Sequence, residues 1–286
     1  MMFSDRRARF RAVLTGSDCV HPGSVFDPIS ACIAEDLGFE VGMFAGSVAS
    51  FTVLGAPDIV VLTLSEFAQQ IARITRAGSL PLLVDADHGY GNALGVMRTV
   101  QELERAGVAA MTIEDTLLPR AYGDGRPALL SRAEGLGKIR AALAARVDPG
   151  LSIVARTSAL AFTDTDDAVA RVVAYEQAGA DALFLAGVKS ADQVRAVRAA
   201  TVLPIIVGGA EGDLGDREAL AAMGVRVALQ GHQPFMAAVQ AVHDTLSALR
   251  AGLPPGELRN QPSPALMKRV TRDDAYAQAV RDFMGG

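Results

Sequence analysis

The chain has 286 residues and a formal net charge of −5, and its length suits either two ordinary domains or one α/β barrel. Half of the residues are hydrophobic but only 5% are aromatic and none is Trp, so we expect an aliphatic core of parallel strands covered by helices. The sequence shows no basic stripe, no apolar run of about 18 residues and no apolar stretch near its start, which argues against a nucleic-acid partner, a membrane span and a secretory signal. Cys19 and Cys32 form no C-x-x-C motif, which excludes a disulfide scaffold and a zinc ribbon and favours a cytoplasmic location.

Short apolar runs alternate with longer amphipathic stretches along most of the chain. We predict eight strands, at Gly23–Phe26, Val41–Ala45, Pro81–Val84, Ala110–Ile113, Ser152–Ala155, Ala182–Leu185, Pro204–Val207 and Val225–Leu229. A predicted helix follows each strand, at Pro28–Leu37, Ser65–Ala77, Ala93–Ala106, 132–146, Asp164–Ala178, Ala191–Ala200, Arg217–Met223 and Pro234–Leu249. Thr63 and Glu66 have the spacing of a capping box at the start of the second of these helices.

Eight βα units without a break in composition predict a single domain over residues 1–286, folded as a (β/α)8 barrel of the TIM type at about residues 19–250. A helical tail follows at about residues 253–286, with a predicted helix at Asp273–Phe283. The alternative is a doubly wound open sheet. That fold would favour a G-x-G-x-x-G motif after the first strand, and the segment PGSVFDPIS at residues 22–30 does not contain one.

Acidic residues follow the third and fourth predicted strands, at the end of a barrel where active sites lie. Asp85 and Asp87 are two residues apart, so that on a strand both side chains point to the same side, and Glu114 ends the neighbouring strand. Carboxylates this close would raise one another's pKa unless a cation lay between them, and hard oxygen ligands suit Mg²⁺ or Mn²⁺. The alternative is a hydrogen-bonded structural network or a set of helix caps.

Three further strand ends carry candidate binding groups. Arg156 follows the fifth strand and suits a carboxylate or a phosphate, or else an ion pair with Glu114 or Asp115. Gly46 and Ser47 end the second strand, where backbone N–H groups could approach an oxyanion, unless the segment is a plain turn. His232 follows the last strand and could contact a substrate oxygen or move a proton, or be structural.

Several motifs occur in the order found in one family. The segment Leu82–Asn92, LLVDADHGYGN, resembles the D-A-D-x-G-Y-G motif of the phosphoenolpyruvate mutase/isocitrate lyase superfamily. Other segments that resemble this family are FAGSVAS at Phe44–Ser50, LGAPD at Leu54–Asp58, TIEDTLLP at Thr112–Pro119, GKIRAA at Gly137–Ala142, ARTSA at Ala155–Ala159 and YEQAGAD at Tyr175–Asp181. The resemblance runs from about residue 10 to residue 250.

This resemblance implies a Mg²⁺-dependent enzyme that acts on a small 2-oxo or enol carboxylate. The residue that matches Asp85 in the family is the direct metal ligand, and those that match Asp58, Asp87 and Glu114 hold the metal through water. The family's barrels form homotetramers, built as dimers of dimers, in which C-terminal helices are exchanged between paired subunits. The predicted C-terminal helix would fit that use.

Substrate contacts are also implied by the resemblance. Gly46 and Ser47 match the loop that binds substrate oxygens, Arg156 matches a carboxylate-binding arginine, and His232 matches a substrate-contacting His of the oxaloacetate decarboxylase branch. Ser47, Arg156 and His232 are thus the candidate catalytic residues.

The loop after the fourth strand separates the branches of this family. Its sequence at Leu118–Leu130, LPRAYGDGRPALL, contains neither the Cys nor the paired Lys of the family's C–C lyases. It also lacks the Asn found in mutases and phosphonopyruvate hydrolases, and Thr116 stands after Glu114-Asp115 where those enzymes carry Lys. The combination of EDTLLP, GSVAS and Gly231-His232 instead resembles the oxaloacetate decarboxylase branch. That resemblance implies a decarboxylase that converts oxaloacetate to pyruvate and CO₂ through an enolate stabilised by the metal.

Other functions stay open at this point. They are a lyase of the methylisocitrate or dimethylmalate type, a phosphonopyruvate-type C–P enzyme, and a barrel that binds a dicarboxylate without turnover.

Two departures from the decarboxylase pattern bear on the substrate. Gly208 and Gly209 stand where that branch carries a Thr-Tyr pair, so that an aromatic wall of the pocket is expected to be missing, and Ser158 stands where it carries Asn.

Overall fold

The computed structural model describes residues 3–120, 122–123, 125–209, 214 and 216–285. Eight parallel strands form one sheet in the order β1 to β8. Their bounds are Gly23–Ser24 (β1), Gly42–Phe44 (β2), Leu82–Asp85 (β3), Ala110–Glu114 (β4), Ser152–Thr157 (β5), Ala182–Leu185 (β6), Ile205–Val207 (β7) and Val225–Ala228 (β8). A parallel bridge between Val20 and Val227 joins the chain before β1 to β8, so the sheet closes on itself. The predicted (β/α)8 barrel is confirmed.

Helices alternate with the strands as expected. Their bounds are Ser4–Thr15 (α1), Pro28–Asp36 (α2), Gly46–Ala49 (α3), Leu64–Arg76 (α4), Ala93–Arg105 (α5), Arg132–Ala145 (α6), Ala159–Phe162 (α7), Thr165–Ala178 (α8), Ala191–Ala200 (α9), Arg217–Ala222 (α10), Gln233–Arg250 (α11), Pro264–Val270 (α12) and Asp273–Met284 (α13). A π-helical turn at Ser50–Leu54 continues α3, and a short 3-10 turn covers Pro255–Glu257. The capping box of Thr63 and Glu66 opens α4 as expected.

The predicted bounds differ from the structure mainly at the rim of the barrel. The predicted first strand includes Phe26, but β1 ends at Ser24. The chain leaves the sheet there because the capping box of Asp27 begins α2. Asp85 is the last residue of β3 rather than the first residue beyond it. None of the described helices is both long and apolar enough to cross a membrane.

An N-terminal helix, α1, which the sequence did not predict, packs across the amino end of the barrel. The guanidinium of Arg6 donates to the carbonyls of Thr75 and Gly78, at 3.1 and 2.7 Å. The guanidinium of Arg7 lies 2.6 Å from the Asp148 carboxylate. These buried arginines pair with backbone carbonyls at the ends of other helices, which stabilises buried charge. The carboxyl end of the barrel stays free for a site.

A buried ion pair anchors the end of β4 on the outside of the barrel. Asp115 accepts hydrogen bonds from Arg171 at 3.1 Å and from the Tyr175 hydroxyl at 2.8 Å. All three side chains are buried. Asp115 therefore faces away from the barrel interior, although it stands next to Glu114 in the sequence, because neighbouring residues of a strand point to opposite sides.

We expect Asp115→Asn to lower the free energy of unfolding by about 3 kcal/mol, because it removes the more deeply buried of the two carboxylates, Asp115 and Asp167, that pair with Arg171. Urea denaturation monitored by circular dichroism measures this. Asp192→Asn is the matched control, since the Asp192–Arg195 pair is exposed and should contribute less than about 1 kcal/mol. Equal losses in the two variants would contradict the structural role of Asp115.

Candidate active site

A cavity of about 300 Å³ opens at the carboxyl end of the strands. Seven of the eight candidate metal-binding and substrate-binding residues line it, Gly46 being the exception, and its wall is otherwise apolar. The lining residues are Met43, Ala45, Ser47, Asp58, Val60, Asp85, Asp87, Glu114, Leu118, Arg156, Phe184, Leu229 and His232.

Strand register places the central groups of this cavity side by side. Glu114 pairs with Arg156 across β4 and β5, and Arg156 pairs with Phe184 across β5 and β6. Asp85 pairs with Thr112, whose hydroxyl donates to the Asp85 carboxylate at 2.7 Å. Neither Thr112 nor Phe184 is among the candidate residues predicted from the sequence. The signal for Thr112 was its position two residues before Glu114, on the same side of β4.

Arg156 binds the carboxylates that were proposed to share a metal. One guanidinium nitrogen, Nη1, donates to Asp85, and Nη2 lies 3.2 Å from Glu114. The guanidinium also lies over the Phe184 ring, 5.2 Å from its centre, a cation–π contact. Burial lowers the pKa of Arg156, but the charges of Asp85 and Glu114 outweigh burial and raise this pKa overall. Arg156 therefore remains a cation, and its buried Nε has no hydrogen-bond partner among the described residues.

Asp87 reaches the cavity by a different route from the one expected. The sequence predicts that Asp87 points to the same side of a strand as Asp85. However, β3 ends at Asp85, and Asp87 lies in a turn with a left-handed φ of 47°. Its N–H donates to the Asp85 carboxylate at 3.3 Å, and its carbonyl accepts from the Glu114 N–H at 2.9 Å. The turn thus directs the Asp87 carboxylate into the cavity that Asp85 lines. His88, the next residue, is buried and does not line this cavity.

Four carboxyl groups line the cavity beside one arginine, so that their full ionisation would leave an excess of negative charge. Burial raises the pKa of Asp87 well above its usual value, and the charges of Asp85, Glu114 and Asp58 raise it further. Burial also raises the pKa values of Asp58 and of Glu114, although Arg156 opposes both effects. An excess of hard carboxylate oxygens in one cavity fits a small divalent cation.

Within the described residues, no group of three or more His, Cys, Asp or Glu side chains stands close enough together to hold a metal ion. The physical reason is the guanidinium of Arg156, which lies between Asp85 and Glu114 and pairs with both. The ligand set of Asp85, Asp58, Asp87 and Glu114 therefore stays a prediction, supported by the chemistry of the donors.

Gly46 and Ser47 form the first turn of α3, directly after β2. The Ser47 side chain lines the cavity, while Gly46 lies behind the Asp87 carboxylate. A Cβ atom at position 46 would stand 2.7 Å from both carboxylate oxygens of Asp87. Glycine is therefore required here by the close approach of the backbone to Asp87.

We expect Gly46→Ala to lower kcat/KM by about 10²-fold, because the added methyl group displaces the Asp87 carboxylate by roughly 1 Å. Steady-state kinetics and a melting curve measure the effect on activity and on stability. Gly137→Ala is the matched control, because its added methyl group meets no atom of a described residue within 4 Å. Full activity of Gly46→Ala would show that the position of Asp87 does not matter.

His232 lies at the other side of the cavity, at the start of α11. Its Nδ1 is 2.9 Å from the hydroxyl of Ser24 in β1. Burial lowers the pKa of His232, although the charge of Asp85 partly opposes this. The ring is therefore neutral at pH 7. Ser24 was not found from the sequence, since it stands 208 positions away from its partner.

An aromatic side chain from β6 lines the cavity, while Gly208 and Gly209 provide none at the end of β7. It is Phe184 on β6, and a Cβ atom at Gly208 would stand 3.1 Å from its ring. Gly208 thus leaves room for the ring that supports Arg156. Ser158 does not line the cavity, and its N–H lies 3.4 Å from the Asp115 carboxylate.

The loop after β4 brings an apolar residue to the cavity. Thr116 and Leu129 form an antiparallel bridge, and the N–H of Leu117 donates to the Ala128 carbonyl at 2.8 Å. Leu118 then lines the cavity. The Thr116 hydroxyl donates to Glu114 at 3.0 Å, so the loop also fixes that carboxylate.

Comparison with known proteins gives a consistent result. Residues 10–250 match the family model described as phosphoenolpyruvate phosphomutase. The chain is 56% identical over 285 residues to an oxaloacetate decarboxylase of Rhodopseudomonas palustris, covering 100% of this chain and 99% of that protein. It is similar to oxaloacetate acetylhydrolase in complex with the inhibitor 3,3-difluorooxalacetate, with a TM-score of 0.86, 28% identity and coverage of 99% and 98%. It is also similar to phosphonopyruvate hydrolase in complex with oxalate and Mg²⁺, with a TM-score of 0.85, 28% identity and coverage of 98% and 99%.

Proposed function

Since the chain belongs to the phosphoenolpyruvate mutase/isocitrate lyase superfamily and is a carbon–carbon lyase, we propose that it is a Mg²⁺-dependent decarboxylase of oxaloacetate or a close 2-oxo dicarboxylate. The products are pyruvate and CO₂. The relative of 56% identity is named for this reaction, and that similarity extends over the full chain.

The observation that carries this proposal is the composition of the cavity. It combines the four carboxylates and Arg156 with an apolar wall that includes Leu118. The sequence of the loop after β4 contains no Cys and no Lys. Those are the groups expected to act in the family's other carbon–carbon lyases, which are of the methylisocitrate and dimethylmalate type. The C4 carboxylate of oxaloacetate is β to the C2 carbonyl, so its loss as CO₂ leaves an enolate and needs no nucleophile and no base on the protein. The reaction therefore agrees with the groups that the cavity contains.

Arg156 and Ser47 would hold carboxylate and carbonyl oxygens of the substrate, because a guanidinium and a hydroxyl are donors suited to such oxygens. His232 would orient the substrate from the opposite wall. The C3–C4 bond breaks as the C4 carboxylate leaves as CO₂, and its electron pair passes into the C2–C3 enolate. Uptake of one proton at C3 then gives pyruvate. The apolar side chains of Leu118, Val60 and Leu229 would exclude water from the departing carboxylate.

The metal would be held by Asp85 directly and by Asp58, Asp87 and Glu114 through water. When bound, a divalent cation supplies Lewis-acid stabilisation of the negative charge that develops on the substrate oxygens. Arg156 would then exchange part of its contact with Asp85 and Glu114 for contact with the substrate, for which its buried Nε offers a donor without a partner among the described residues.

Pyruvate formation from oxaloacetate, coupled to lactate dehydrogenase, tests the proposal. We expect turnover that requires Mg²⁺ or Mn²⁺, is abolished by EDTA and exceeds the decarboxylation caused by the free metal ion alone. Phosphate release from phosphonopyruvate and cleavage of 2,3-dimethylmalate are assayed in parallel. Turnover of either of these at a higher kcat/KM than oxaloacetate would overturn the assignment.

We also propose that the chain assembles as a homotetramer, built from dimers that exchange their C-terminal helices. Helix α11 has no buried residue, and it exposes apolar side chains along one stripe: Met236, Val239, Val242 and Leu246. Helix α13 leaves Phe283 85% exposed. Contiguous exposed apolar surface of this kind is typical of subunit interfaces.

Light scattering should give a mass four times the 29.8 kDa of one chain. We expect Val242→Glu to shift the protein to dimers or monomers, because a buried, unpaired carboxylate in an apolar interface costs several kcal/mol. His243→Glu, at the next and exposed position of α11, is the control that should keep the tetramer. A monomeric wild type would contradict the proposal.

A further inference from the structure

The hydroxyl of Ser24 has one hydrogen-bond partner among the described residues, and that partner is Nδ1 of His232. Ser24 lies on β1 and is buried, with 9% of its surface exposed. It also lines a mostly apolar cavity, together with Phe26, Ile33 and Phe39. Ser30 in that cavity already uses its hydroxyl on the backbone of the α2 cap. Nδ1 of His232 is therefore the one acceptor that the described part of the chain offers to the Ser24 proton.

A neutral imidazole carries a proton on one ring nitrogen and a lone pair on the other. A hydroxyl whose proton would otherwise be unpaired in an apolar cavity gains most by donating to the lone pair, since a buried donor without a partner costs about 1–3 kcal/mol. Donation from Ser24 to Nδ1 leaves the ring proton on Nε2. Nε2 makes no hydrogen bond to a described residue, and His232 lines the active-site cavity.

We propose that Ser24 is a positioning residue that fixes His232 in the Nε2–H tautomer and holds its ring with the N–H donor available to the substrate. This inference rests on the proposed function for its kinetic consequence, but not for the tautomer itself. His232 then acts as a neutral donor that orients a substrate oxygen. The proton taken up by C3 comes from solvent rather than from an imidazolium at this position.

The ring nitrogens of His232 report the tautomer without any turnover. The chain has four histidines, so ¹⁵N-labelled histidine gives a spectrum that His232→Gln assigns by the loss of one ring. We expect a protonated Nε2 and an unprotonated Nδ1 in the wild type at pH 7.5. We expect a mixture of tautomers in Ser24→Ala and the wild-type pattern in Ser24→Thr, which keeps the hydroxyl. A protonated Nδ1 in the wild type would overturn the proposal.

Kinetics on oxaloacetate test the consequence. Ser24→Ala should lower kcat/KM by about tenfold, which corresponds to about 1.4 kcal/mol, and Ser24→Thr should restore at least half of the activity. Ser152→Ala is the matched control. It also removes a buried hydroxyl, but that hydroxyl, unlike the one of Ser24, has no hydrogen-bond partner among the described residues. That control should keep full activity.

Two replacements of His232 distinguish the contributions of its two ring nitrogens to activity. The amide nitrogen of Gln lies near the position of Nε2 and that of Asn near Nδ1, so His232→Gln should retain more activity than His232→Asn. Adding Ser24→Ala to His232→Gln should then have no further effect, because the two residues act as a unit. Equal losses from Ser24→Ala in both backgrounds would overturn the positioning role. Absence of oxaloacetate turnover in the wild type would instead refute the proposed function and leave the tautomer result standing.

Discussion

Arg156→Lys is expected to lower kcat/KM for oxaloacetate by about 10²- to 10³-fold, the loss typical of removing a preorganised donor to a developing negative charge. The guanidinium contacts Asp85 and Glu114 through two nitrogens and stacks on Phe184. A lysine ammonium cannot make these three contacts at once, because it is a point charge without a flat face. Asp85 and Glu114 would then lose their shared partner, and the substrate would lose its carboxylate-binding group.

Steady-state kinetics on purified Arg156→Lys measures this loss, and a melting curve checks that the variant is folded. Arg146→Lys is the matched control. Arg146 does not line the cavity, and its guanidinium pairs with the Asp181 carboxylate at a distance of 2.6 Å. It should change activity by less than about twofold. An Arg156→Lys enzyme within tenfold of the wild type would show that a single positive charge suffices, and that the geometry of the guanidinium is not used.

Asp85→Asn should lower kcat/KM by more than about 10³-fold and remove the dependence of the remaining activity on added Mg²⁺. The substitution keeps the shape of the side chain and leaves an oxygen to accept the hydrogen bond from Thr112. It removes the charge of the group proposed to bind the metal directly. Its amide nitrogen would also face the Arg156 guanidinium, which places two donors against each other.

Activity is measured over a titration of Mg²⁺, beside calorimetric binding of Mg²⁺ in the presence of oxalate. Thr112→Val gives the graded comparison, because it removes one hydrogen bond to Asp85 and keeps the charge, so that a loss of about tenfold is expected. Wild-type kcat/KM in Asp85→Asn, or unchanged Mg²⁺ binding, would contradict the metal-binding role of Asp85.

Much of this site could be predicted because strands of a barrel end at one rim. The apolar runs before Asp85, Glu114 and Arg156 identify the ends of three consecutive strands, and consecutive parallel strands in a barrel are neighbours. Glu114 and Arg156 are indeed register partners. The assignment of Asp87 rested on strand periodicity, which no longer applies after β3 has ended. A turn with a left-handed φ at Asp87 directs this carboxylate into the cavity instead. A single sequence gives little sign of such a turn.

Other features depend on contacts that no local pattern reveals. Phe184 looks like a core residue of β6, and its role beneath Arg156 requires the register of β5 and β6 and the space left by Gly208. The contact between Ser24 and His232 exists because β8 closes against the chain just before β1. The helix α1 was missed because it is held largely by arginine contacts to backbone carbonyls, which apolar periodicity does not record.

The reaction proposed for this enzyme cleaves the C3–C4 bond of oxaloacetate. The most direct test is ¹³C NMR of uniformly ¹³C-labelled oxaloacetate incubated with the protein and Mg²⁺, with an enzyme-free sample to subtract spontaneous decay. We predict the signals of pyruvate and bicarbonate in equal amounts, formed at a rate that EDTA abolishes. Acetate and oxalate would contradict the claim, because they require cleavage of the C2–C3 bond, and an unchanged oxaloacetate signal relative to the enzyme-free sample would contradict it as well.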